Sequence, residues 1–186
     1  DIIIINNGAN YEKIKFSSLD ILESEHYKSI CLGKIDLRKR QYLIQSIKNI
    51  DFVGNIGEDI GNKFDKLNSN YLGEWSRQEV YSKLTNYVTL VLLSDGEADP
   101  LVVKEALMAG CGLVLSKYSI ANIDINKEWI DVIPEEWLEP NNLKLDNIKE
   151  IIIKNNQTSI QYREEIREYS KQFSWDKIIK NKYLNV

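Results

Sequence analysis

The stretch VTLVLLSDGEADPLVVKEALMAGCGLVLSK, residues 88–117, divides into strand, loop, helix, tight turn and strand. Residues 88–93 are a short aliphatic and β-branched run of the kind that fills a strand buried on both faces. Residues 94–98 are polar and contain Gly96, which marks a loop. Asp99 and Pro100 then open a helix, with an acidic N-cap candidate and a proline at the first helical position, where a missing N–H costs nothing. Apolar residues recur at helical spacing through Ala109, and Gly110 and Gly112 end the helix. Residues 112–116 are a second buried strand. This is a βαβ unit, whose right-handed crossover sets its two strands parallel in one sheet. Its chemistry lies in two carboxylates eight residues apart, Glu97 in the loop and Glu105 in the helix.

The same alternation runs outward from this unit. Upstream, residues 2–5 read as a strand or linker ahead of the turn Asn6-Asn7-Gly8, and residues 29–32 as the first core strand. Residues 37–50 carry apolar side chains at helical period, residues 52–53 begin another strand, and residues 54–67 form an irregular connection. A short strand at 70–72 leads to Ser76 and Glu79, spaced as a capping box for a helix reaching about Asn86. Downstream, residues 130–133 are a strand closed by Pro134, and helices are predicted over 143–155, 159–172 and 175–184, the last capped by Ser174. Strands alternating with helices predict an α/β fold: a Rossmann-like parallel sheet flanked by helices, with C-terminal helices following it, in a single domain spanning 1–186.

Bulk properties narrow the function. A net charge of −4 leaves no electrostatic footprint for nucleic acid. No apolar run approaches the roughly 20 residues of a membrane span. Cys31 and Cys111 sit singly in strand-like contexts, which suits packing in a reducing, cytoplasmic compartment. With His26 the sole histidine, no histidine cluster can hold a metal. Trp129, Trp137 and Trp175 read as packing anchors, and Glu164-Glu165 with the charges around them as a solvated helix face. The chain does not begin with Met and reads as a processed product or an excised piece of something longer.

In open parallel sheets, ligands bind beyond the carboxyl ends of the strands, beside helix N-termini that favour anions. The loop carrying Glu97 lies at such an end. From spacing alone the two glutamates read equally as a pair that holds a ligand, Glu105 accepting two hydroxyls and Glu97 facing a neighbouring group, and as a solvent-exposed loop carboxylate and a surface glutamate. The stretch from Glu97 through Gly110, however, resembles the E-x7-E signature of retaining GT-B glycosyltransferases, usually written E-G-F-G-L-x-x-x-E-A-M-A-x-G. Ile4-Ile5-Asn6-Asn7-Gly8 is similar to that family's segment leading into its C-terminal domain. The run from Leu32-Gly33-Lys34 to Arg38-Lys39 is similar to its donor-phosphate segment, and Tyr71-Leu72-Gly73, the Ser76 helix and Phe173-Ser174-Trp175 also fit its pattern.

The resemblance implies the C-terminal, nucleotide-sugar-binding domain of such an enzyme, with the N-terminal acceptor domain outside these residues. It implies a nucleoside diphosphate sugar as donor and no metal requirement. Glu105 would hold the ribose hydroxyls, and Glu97 would act at the donor sugar. Lys34 and Lys39 would neutralise the diphosphate, with Gly33, Asp99, Pro100 and Leu101 beside the donor. Lys34 stands where the family usually has Arg, which removes a planar fork able to grip a phosphate. Arg40 stands where Gly commonly follows the Lys. Asp99 replaces an aromatic residue and, as an N-cap, would consume amide donors and repel a phosphate. Two other readings accompany this one: a degenerate GT-B domain serving as a non-catalytic binding or scaffold module, and a sugar-nucleotide epimerase of the same architecture.

Overall fold

Short runs of Ile, Leu, Val and Phe, too short for helices and flanked by polar turns, pair into one sheet in the computed structural model, which describes residues 6–18, 27–120 and 122–183. The segment 2–5, His26 and Leu184 lie outside the described residues. The strands are β1 (Ser29–Leu32), β2 (Ile50–Val53), β3 (Asn70–Tyr71), β4 (Thr89–Leu92), β5 (Gly112–Ser116) and β6 (Ile130–Ile133). All pair in parallel, in the order β3-β2-β1-β4-β5-β6. This is the doubly wound Rossmann order, and its switch point lies between β1 and β4, where the loops that follow the two strands part to opposite sides.

Side chains alternate across the sheet and build two cores. Ile30, Leu32, Leu90, Leu92, Leu113 and Leu115 face one layer. It contains residues of α1 (Arg77–Lys83), α2 (Leu101–Met108) and α4 (Arg163–Ser170). Cys31, Phe52, Val91 and Val114 face the other, with Ile148 and Ile152 of α3 (Leu145–Gln161). A last helix, α5 (Trp175–Tyr183), follows with Ser174 accepting from the Lys177 N–H at 3.3 Å. The central βαβ unit is therefore β4, α2 and β5, as its sequence predicts. The capping box also forms: Ser76 Oγ accepts from the Glu79 N–H and Glu79 accepts from the Ser76 N–H.

Four expectations change. Residues 37–50 are not a helix; a single 3-10 turn at Gln41–Leu43 is all that forms. Arg40 adopts φ +59° and ψ +19°, a left-handed conformation that cannot continue a right-handed helix. Pro100 is the N-cap of α2 rather than its first residue, and no side chain caps that end. The break between the long C-terminal helices lies at Tyr162, not near 156–158. There Asn155 looks like a helix breaker, but its amide is buried in α3 and donates to Leu113 O, Trp129 O and Asp131 Oδ2 at 2.9–3.1 Å. Finally, the charges around Glu164 are not all solvated, because Arg163 is fully buried.

Candidate functional site

The two loops that part at the switch point carry most of the residues singled out from the sequence. After β1 the chain turns at Gly33 (φ +135°), and after β2 at Gly54 (φ +147°). These glycines lie back to back: a Cβ at Gly54 would collide with the Gly33 carbonyl. No L-residue adopts these backbone angles comfortably, and no side chain fits between the loops. Bare backbone therefore floors a cleft of about 510 Å³, whose lining includes Gly33, Lys34, Gly54, Trp75, Arg77 and Glu105. Leu101, in the first turn of α2, also lines it, and its volume lies within the usual range for small-molecule sites.

Glu105 reaches the cleft from the middle of α2, its side chain 8 % exposed. It accepts a hydrogen bond and ion pair from the Arg77 guanidinium at the start of α1. Burial pushes its carboxyl above the usual glutamate range, against the opposing pull of Arg77. Lys34 lines the same cleft and makes no ion pair among the described residues.

Glu97 occupies a neighbouring cluster. Its Oε1 accepts from Lys39 Nζ at 2.7 Å and Ser94 Oγ at 3.1 Å, and lies 3.0 Å from Arg38 Nη1. Burial raises its carboxyl, but the Lys39 ammonium and Arg38 guanidinium outweigh burial and hold it below the usual range. Lys39 packs against the cleft floor, since a Cβ on Gly33 would lie 3.5 Å from its Cε. A backbone bond joins the two loops, the Asp95 N–H donating to Arg38 O at 2.9 Å, and within the first loop the Lys39 N–H donates to Asp36 Oδ1 at 2.8 Å. The arrangement joins an uncommitted lysine, a buried acceptor and a carboxylate paired with cations, all at the carboxyl ends of β1, β2 and β4.

No protein-family model matches the sequence, and no curated protein matches it significantly. Solved structures do match. Sucrose-phosphate synthase from Thermosynechococcus elongatus superposes over 95 % of this chain and 50 % of its own, with a TM-score of 0.68 at 15 % identity. HepE of Anabaena, in complex with UDP-glucose, gives a TM-score of 0.66 at 15 % identity over 98 % of this chain and 56 % of its own. WaaG, a glycosyltransferase involved in lipopolysaccharide biosynthesis, gives 0.64 at 17 % identity over 95 % and 53 %. The fold is that of a GT-B C-terminal domain. The chain spans about half the length of the solved structures it matches.

Against the GT-B pattern, Asp99 is less disruptive than its sequence position implies. Its carboxylate turns away from the amides of α2. It pairs with Lys104, itself 1 % exposed, and accepts from the Asn7 N–H at 2.7 Å, while Asn7 Nδ2 donates to Asp99 O at 2.9 Å. Asp99 and Lys104 thus form one buried unit that ties the start of α2 to the segment around Asn7. Neither Asp99 nor Pro100 lines the cleft. The acidic residues of the loop also diverge, with Glu97 held by Lys39 and Arg38, Asp99 by Lys104, and Asp95 exposed.

The sequence places Arg38 in the donor-phosphate segment without assigning it a role, and it leaves Trp75 and Arg77 unmarked as site residues. For the last two a signal exists: the capping box at Ser76 begins α1 just past the end of β3, which brings its first residue to the rim of the cleft. Trp129 packs against Tyr162 and Tyr169 with ring centroids 5.5 and 5.9 Å apart, as an anchor should.

Proposed function

We propose that this chain is the donor-binding half of a retaining glycosyltransferase, a cytoplasmic enzyme that transfers a sugar, of hexose type, from a nucleoside diphosphate sugar to an acceptor held by a second domain. The observation that carries this reading is the convergence of Gly33, Lys34, Leu101 and Glu105 on one cleft, with Lys39 against its floor. Neighbours of this fold crystallised with UDP-glucose and UDP support it.

In this reading the nucleotide lies along the cleft with its ribose diol on Glu105. Lys34, Lys39 and Arg38 stand where negative charge gathers on the departing diphosphate, and fixed cations there stabilise the transition state more than the ground state. They supply the charge that a metal ion would otherwise bring. Glu97 is an ionised carboxylate bound by two cations, so it is not a proton donor; it orients Lys39 and Arg38 and faces the sugar end of the donor. Asp99 and Pro100 shape the loop from behind. Positioning and charge are this domain's share, and the chain alone turns over no sugar.

Calorimetry of the 186-residue chain with UDP, GDP and ADP tests the reading. Weak binding of at least one is expected, lost in Glu105→Ala and largely kept in Glu97→Ala. Absence of heat with all three at millimolar concentration, or full affinity in Glu105→Ala, removes the donor site. The scaffold reading would survive the first result, since a folded module needs neither glutamate.

A further inference from the structure

Glu105 has two carboxylate oxygens, and the described residues use one. Arg77 donates to Oε1, while no donor among the described residues reaches Oε2. The two partners are unequally placed, since the Arg77 side chain is 58 % exposed and that of Glu105 is 8 % exposed. An exposed arginine returns to water at little cost, whereas a buried carboxylate stripped of its donor is strongly disfavoured. A ligand that displaces Arg77 must therefore bring hydrogen-bond donors of its own. A vicinal diol brings two, one for each oxygen; a phosphate brings none.

We propose that Arg77 is a specificity-determining residue that stands in for one ribose hydroxyl on Glu105. The inference rests on the donor-site reading above. It has two consequences. Binding of a ribonucleotide must break the Arg77–Glu105 pair before both hydroxyls can settle, so Arg77 weakens that binding. A nucleotide lacking the 2′-hydroxyl can instead place its 3′-hydroxyl on Oε2 while Arg77 keeps Oε1. Arg77 thus makes the site tolerant of 2′-deoxynucleotides. Without Arg77 nothing replaces the missing hydroxyl, and the buried oxygen is left bare.

The test is calorimetry of UDP and GDP against their 2′-deoxy counterparts, with wild type, Arg77→Ala and Arg77→Lys. Arg77→Ala should bind the ribonucleotide about tenfold tighter or more, the low end for one hydrogen bond to a charged group, and should widen the ribo-to-deoxy ratio by about the same factor. Arg77→Lys, which keeps the charge but not the fork, should fall between and guards against a folding defect in the alanine variant. Weaker ribonucleotide binding by Arg77→Ala, or an unchanged ratio in both variants, overturns the proposal while leaving the donor site intact. Failure of wild type and both variants to bind any nucleotide removes the donor site, and this proposal with it. Binding by Arg77→Ala alone supports both.

Discussion

Two arginines at opposite ends of the helical layer solve the same problem differently. Arg163 is 1 % exposed and faces no carboxylate among its hydrogen-bond partners. Its Nε donates to Ser17 O at 2.8 Å. Nη1 donates to Tyr87 O and Gly110 O, and Nη2 to Thr85 O, Thr85 Oγ1 and Ala109 O, at 2.5–3.2 Å. Most of these carbonyls are the orphan acceptors where α2 and the 3-10 turn after α1 end, the negative poles of those helices. Arg77, by contrast, is mostly exposed and rests on a single buried carboxylate in a cleft. The first charge is satisfied by backbone that cannot move without unfolding. The second is satisfied by a partner that a ligand can take over. Fixed neutral acceptors mark structure, and an exchangeable partner of opposite charge marks a site.

The sharpest way to break this contrast is at Arg163. Arg163→Met preserves much of the length but leaves four buried carbonyls, those of Ser17, Thr85, Ala109 and Gly110, without their side-chain donor, so a loss of about 3–5 kcal/mol in unfolding free energy is expected. Urea denaturation measures it. A loss below about 1 kcal/mol would mean that water replaces the guanidinium, and that the clamp is no more structural than the cleft pairs.

Much of the sheet was readable in advance because buried parallel strands leave an aliphatic signature and turn residues punctuate it. The unit from β4 through β5 and the cap at Ser76 are local patterns, and they form as the sequence predicts except at the start of α2, where Pro100 and not Asp99 is the N-cap. Gly33, Lys34, Leu101 and Glu105 came together because strand ends in such a fold necessarily share one edge. What escaped was long-range pairing. Nothing near Asp99 announces that Lys104 will be buried against it, five residues on, or that Asn7 will bind it from 92 residues away. Arg163 sits beside two solvated glutamates and looks like them, since its six acceptors come from three other segments. The helix expected over 37–50 failed through one backbone angle at Arg40, which side-chain periodicity does not record.

A middle-sized effect separates the two cleft glutamates by sign. Glu97 has a lowered carboxyl in the folded chain, so its contribution to stability is present above the unfolded glutamate value of about 4.3 and is lost as pH falls through its folded value. Glu105 is raised, so its contribution is present below about 4.3 and is lost as pH rises through its folded value. Unfolding free energies from pH 3 to 7 should show Glu97→Gln losing ground to wild type as pH rises, by on the order of 1 kcal/mol for a part-exposed pair. Glu105→Gln should gain ground over the window just above pH 4. Parallel slopes for the two variants would show that burial and pairing act alike on both, and would erase the distinction between a cation-bound and a half-satisfied carboxylate.

Arg40 lies between the two types of charge, and its glycine variant gives the smallest effect. It is the one non-glycine residue with positive φ among the described residues, and it pairs with Glu135 at 2.5 Å, both side chains 15 % exposed. Left-handed backbone costs a branched or long side chain about 1–2 kcal/mol, while a mostly buried, charge-assisted pair returns about 1–1.5 kcal/mol. Arg40→Ala keeps the strain and loses the pair, so it should be destabilised by about 1–1.5 kcal/mol. Arg40→Gly loses the pair but also the strain, at some cost in unfolded-chain entropy, and should lie within about 0.5 kcal/mol of wild type. The usual order, in which alanine is more stable than glycine, is thus reversed at this one position. Chemical denaturation of the two variants decides it: alanine equal to or above glycine would show that the loop relaxes once the side chain is gone. Glycine above alanine would mean that the chain holds strained backbone next to Lys39, with the Glu135 pair as the tether that keeps the cation loop in place.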